Sequence, residues 1–125
     1  MKDGLNEING LIGVWGSILC NNQAEIIEDI SPPGFNKSAL ENIARDSVEL
    51  ISIGSETVLD LQEAVCHFQQ RKIFILDLQQ AILIVLCTPS IDISLLRLTI
   101  SVVATRWEED AEVQKQFHEN YVERI

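Results

Sequence analysis

The chain has 125 residues and a mass of 14.0 kDa, room for one folded unit that hides roughly two thirds of the surface its unfolded form exposes. Hydrophobic residues make up 46% and charged residues 22%, the proportions of a globular protein and not of a disordered tail. Nine Lys and Arg against nineteen Asp and Glu leave a net charge of -10, which repels phosphate backbones and anionic lipid, so nucleic acid is not an expected partner.

Three cysteines, Cys20, Cys66 and Cys87, form neither a CxxC pair nor an even disulfide framework, and this usage points to a reducing cytoplasm. Met1–Gly10 lacks the basic start and apolar stretch of a secretory signal. The longest strongly apolar run, Ala81–Cys87, is far short of the ~20 residues that cross a bilayer, so no membrane insertion is expected.

In chain order, Asp3–Ile12 sets Leu5, Ile8, Leu11 and Ile12 at helical spacing, which predicts a short amphipathic helix capped by Asp3. Val14–Cys20 and Ala24–Ile30 read as two strands of a hairpin, joined through Asn21-Asn22-Gln23, where Asn tolerates a left-handed backbone. Ser31-Pro32-Pro33-Gly34 is a loop. Asn36 then caps a helix with Leu40, Ile43, Ala44, Val48 and Ile51 on one stripe and Gly54 as its stop.

Leu61–Gln69, Ile73–Leu78 and Ala81–Cys87 read as three further strands. The first alternates polar and apolar and belongs near an edge, while the other two are apolar on both faces and need cover on both sides. Ser90 or Asp92 caps a last long helix from near Ile93, whose Leu95, Leu98 and Val102 widen the stripe of Leu96, Ile100, Val103 and Trp107. That pattern predicts burial nearly all round. Residues 1–107 therefore form the domain, and 108–125 an acidic extension in which Val113, Phe117 and Tyr121 recur every fourth residue, as in a helix that docks on something.

The resulting αββαβββα order resembles the roadblock family, which includes dynein light chain relatives, bacterial regulators of Ras-like GTPases and lysosomal scaffold subunits. Three stretches between Gly10 and Trp107 carry the likeness. Gly13-Val14-Trp15-Gly16-Ser17-Ile18-Leu19 is similar to the family's "gv.gavl" strand, Ala44 through Ile53-Gly54 to its helix ending in "lG", and Ile91-Asp92-Ile93-Ser94-Leu95-Leu96-Arg97 to its "nlGlvr". Ser94 stands where a glycine is usual, and Asn22-Gln23 where Asp-Gly is common. The resemblance implies an α+β, profilin-like fold with a five-stranded antiparallel sheet, two helices on one face and one on the other.

No catalytic, metal or cofactor site is expected. Cys66-His67 places a nucleophile beside a base, but neighbours on a strand point to opposite faces, so the pair reads as a half-buried thiol and a strand histidine. His118 with Glu112 and Glu119 lacks the one-face spacing a metal needs and reads as a solvated surface. Gly10, Gly13 and Gly16 precede a strand where a phosphate loop would follow one, and they read as turn and close packing. Trp15 and Trp107 read as core or interface anchors, and Arg97 and Arg106 as snorkelling cations about 180° apart on one helix.

The resemblance further implies a dimer, with itself or with another roadblock subunit, in which the strand after the middle helix pairs with its counterpart. The seam would fall on Ala64, Cys66 and Phe68 of that strand and on Ser47, Val48 and Ile51 of the helix. The implied function is a non-enzymatic platform for a small Ras-like GTPase. An alternative is a sensor of profilin or PAS type holding a small ligand between sheet and helix, although an interior of Ile, Leu and Val favours a packed core.

Overall fold

The computed structural model describes residues 1–55 and 62–122. Their elements run α1 (Lys2–Asn9), β1 (Val14–Cys20), β2 (Ile26–Ile30), α2 (Lys37–Ser55), β3 (Glu63–His67), β4 (Lys72–Asp77), β5 (Ile82–Cys87), α3 (Ile93–Glu109) and α4 (Ala111–Asn120). The strands form one antiparallel sheet in the order β2-β1-β5-β4-β3. The expected order and fold class are both present.

Alternation along the strands builds two cores. In β5, Leu83, Val85 and Cys87 face α1, α3 and α4, while Ile82, Ile84 and Leu86 face α2. All six residues are buried, so the central strand is covered on both sides as its composition requires. Phe74 and Val65 continue the first face across β4 and β3, and Ile73, Ile75, Ala64 and Cys66 continue the second. α1 and α3 thus share one side of the sheet and α2 takes the other.

Several boundaries depart from expectation for local reasons. α1 starts at Lys2 after Met1, which gives no side-chain cap, leaving Asp3 in its first turn, and it stops at Asn9, so Ile12 lies outside the helix and 97% exposed. The hairpin's left-handed residue is Ala24 (φ 62°) and not an Asn, because Asn21 is used otherwise. Its Oδ1 accepts from the backbone N–H of Gln23 and Glu25, both at 2.9 Å, which delays β2 to Ile26. Asn36 caps α2 as expected, accepting from Ala39 N–H at 2.8 Å, but the helix passes through Gly54. β3 ends at His67, because Phe68 N–H turns back to Arg71 C=O at 2.8 Å; Leu61 lies outside the described residues. Asp92 is the cap of α3, accepting from Leu95 N–H at 3.1 Å.

The extension docks on its own chain. Val113 and Phe117 are buried, and the Phe117 ring meets Trp107 edge-on at 6.1 Å. Tyr121 lies past the end of α4, where Asn21 Nδ2 donates to Asn120 C=O at 2.9 Å and Val122 N–H to Asn22 Oδ1, also at 2.9 Å. These bonds tie the tail to the β1–β2 turn.

α3 is not buried all round: Leu95, Leu98 and Val102 are 47%, 63% and 50% exposed. Nor do its arginines snorkel. Arg97 forks onto Glu63 of β3, with Nε and Nη2 at 2.9–3.2 Å, and Arg106 onto Glu7 of α1 through two bonds of 2.7 Å. The guanidinium of Arg106 holds the Glu7 carboxyl below its ordinary value, mainly through those hydrogen bonds. Such exposed pairs contribute little energy, and α3 is held in place by its buried Leu96, Ile100, Val103 and Trp107.

α1 and α3 approach closely at Gly4, where an added Cβ would come within 2.7 Å of Val103 and Trp107. Gly4→Val should therefore lower stability by about 1–3 kcal/mol through overpacking, read from urea unfolding at an unchanged m-value.

Candidate functional site: an open sheet edge beside an apolar groove

β3 ends the sheet, and its outer edge meets no strand among the described residues. Gln62 C=O accepts from Asp77 N–H, and Phe68 N–H donates inward to Arg71. Antiparallel ladders alternate, so Glu63, Val65 and His67 turn their N–H and C=O groups outward. The edge is a short row of unsatisfied backbone donors and acceptors.

Beside it lies a groove of ≈ 710 Å³ between α2, which packs chiefly over β1 and β5, and the α2-side face of β3 and β4. Ile73 and Ile75 form the floor; Ile43, Ser47 and Leu50 of α2 make one wall, and Cys66 and Phe68 the other. The Arg71 guanidinium stacks 5.2 Å over the Phe35 ring at the groove's border. Phe68 is 54% exposed and Leu50 37%, so large apolar surface stands in water along this strip.

The residues read from sequence as the seam divide. Ser47, Cys66 and Phe68 all line the groove, and Ala64 shares the Cys66 face of β3. Val48 and Ile51 do not join them: both line a separate cleft of ≈ 520 Å³ with Asn22, Ala81 and Tyr121. Ile51, like Ser47, is only 4% exposed and is turned onto this chain's own sheet. The groove side of the helix runs instead through Ile43, Ser47 and Leu50, at i, i+4 and i+7. That spacing was readable, but it was masked by the stronger burial stripe one step round the helix.

The other candidate groups stay apart. Cys66 sits on the α2 side of its strand while His67 is exposed. Cys20 and Cys87 are fully buried, and burial pushes their thiols up to about 12 and about 11. Among the described residues no cluster of His, Cys, Asp and Glu could hold a metal ion, and no helix is long and apolar enough to cross a membrane. Gly16 serves close packing, since an added Cβ would sit 2.6 Å from Ile30 C=O and the Pro32 ring. Trp107 is a core anchor, and Trp15 is 39% exposed.

Compared as a sequence, the chain matches no protein-family profile and no curated relative. Its three-dimensional arrangement does match solved structures. A Roadblock/LC7 domain from Streptomyces avermitilis superposes with a TM-score of 0.69 over 83% of this chain and 90% of its own, at 13% identity. The fold is that of the Roadblock/LC7 domain. The gliding protein MglB from Thermus thermophilus shares it over 94% of this chain and 88% of its own (TM-score 0.72, 11% identity). MglC from Myxococcus xanthus shares it over 84% and 93% (TM-score 0.62, 9% identity). At these identities the roadblock likeness lies in the path of the backbone, while the groove side chains are this chain's own.

Thiol titration checks the placement of the cysteines. With an aromatic disulfide reagent Cys20 and Cys87 should react only after denaturation, while Cys66 is the one thiol open to the reagent in a single folded subunit, its reaction lost in Cys66→Ser and slowed where a second subunit covers the groove.

Proposed function

We propose that this protein is a non-enzymatic, dimeric adaptor that binds a small Ras-like GTPase in the cytoplasm, with residues 108–125 as an extension of the 1–107 domain. The observation that carries the reading is the open β3 edge lying beside an exposed apolar groove. A second roadblock-fold subunit laid antiparallel along β3 would satisfy Glu63, Val65 and His67 and cover Phe68 and Leu50 in one step. An MglB of the same fold is known in a tetrameric arrangement, which supports assembly as a property this fold can carry.

The GTPase partner follows from the resemblance to the bacterial roadblock regulators. The mechanism is differential binding: a platform that prefers one nucleotide state shifts the GTPase toward it. No arginine finger enters this reading. The four arginines among the described residues are engaged within their own chain: Arg45 on Asn42, Arg71 over Phe35, Arg97 on Glu63 and Arg106 on Glu7. The three free cysteines suit a reducing compartment.

A second reading rests on the groove's size: ≈ 710 Å³ lies within the range of small-molecule sites, and an apolar ligand there would compete with the second subunit. Light scattering after size exclusion separates the two. Twice the 14.0 kDa chain mass is expected, falling to the single mass in Phe68→Glu and in the edge-blocking His67→Pro. A monomer at every concentration favours the ligand site.

Binding to Ras-like GTPases loaded with GDP or with a non-hydrolysable GTP analogue tests the partner. At least about tenfold preference for one state is expected. Equal affinity for both states contradicts the regulatory role.

A further inference from the structure

The exposed face of α3 lies on the opposite side of the sheet from the groove. Leu95, Leu98 and Val102 stand at i, i+3 and i+7, about half exposed each. Thr105 continues the row, and its hydroxyl donates to Ser101 C=O at 2.9 Å, so that hydroxyl already has a partner within the helix. Glu109, seven residues beyond Val102, returns to the same face and ends the row. The two arginine forks flank it, their charges already neutralised by Glu63 and Glu7. The result is a track about 21 Å long from Leu95 to Glu109, apolar over its first half and acidic at its end, where Glu108, Glu109 and Glu112 are exposed and meet no cation among the described residues.

We propose that the outward face of α3 is a docking track for an amphipathic helix of another protein, with apolar residues on Leu95, Leu98 and Val102 and Lys or Arg against Glu108 and Glu109. Charge selects this occupant over the others. A second copy of this chain would bring no uncommitted cation on its own α3, since Arg97 and Arg106 are forked onto carboxylates. An anionic bilayer would be repelled by the same acids. A helix of roughly four turns matches the track's length. This site does not depend on the β3 seam, and in a dimer joined there each subunit would present one.

The test uses the full chain and a synthetic amphipathic peptide of roughly 18 residues, with leucines on one face and lysines at one end. A twin peptide carries glutamates in place of the lysines. The lysine peptide should shift α3 backbone amides in NMR titrations and bind at least about tenfold more tightly than the glutamate twin. Leu98→Glu and Val102→Glu, both at exposed positions, should each weaken it by about tenfold or more while leaving the circular dichroism unchanged. Glu109→Lys should erase the preference between the peptides. Equal binding of both peptides, an unaffected Leu98→Glu, or no binding at α3 overturns the proposal. So do α3 amide shifts that track protein concentration alone, which would assign the face to self-association.

Discussion

β5 is hydrogen-bonded along both edges and buried on both faces, and the rest of the fold follows from satisfying it. A run of Ile82-Leu83-Ile84-Val85-Leu86-Cys87 is stable only when β1 and β4 pair with it and helices cover both of its sides. The chain supplies α2 for one side and α1 with α3 for the other. What remains is set by coverage: α1, α3 and the docked tail with its α4 lie on one side, while a single helix covers only part of the other.

That asymmetry creates the exposed apolar surfaces. α2 is held chiefly over β1 and β5, so a groove stays open between it and β3, whose Ala64 and Cys66 are only half-buried, beside an edge that has no further neighbour among the described residues. Packed against a second subunit, such a strip would become core; exposed, it costs the free energy of apolar surface in water, about 25 cal/mol per Å². On the opposite side α1, α3 and α4 share the cover, and large exposed apolar residues stand one layer outward, on the back of α3. Both surfaces are apolar and neither converges reactive groups.

Much of the fold was legible because β5 and its neighbours announce themselves. Val14–Cys20 is β-rich and bounded by Gly13 and Asn21, and Asp92 sits one residue before a long apolar period. The back of α3 was misread for a physical reason: a helix apolar all round can be buried, or half-buried and awaiting a partner, and periodicity does not separate the two. Val48 and Ile51 entered the seam through the family resemblance, and in this chain both line a cleft separate from the groove that Ser47 lines. The ties from Asn21 and Asn22 to residues 120–122 span nearly the whole chain, and no local pattern encodes them. Gly4 has no local sequence signal, because what requires a missing side chain there is Val103 and Trp107 of a distant helix.

Whether β3 is the joining edge is tested most directly by amide hydrogen exchange at Glu63, Val65 and His67. Their outward N–H groups should gain protection as protein concentration rises, approaching that of β5. Exchange at the rate of free amides at every concentration, with β5 still protected, would contradict a dimer built on this edge.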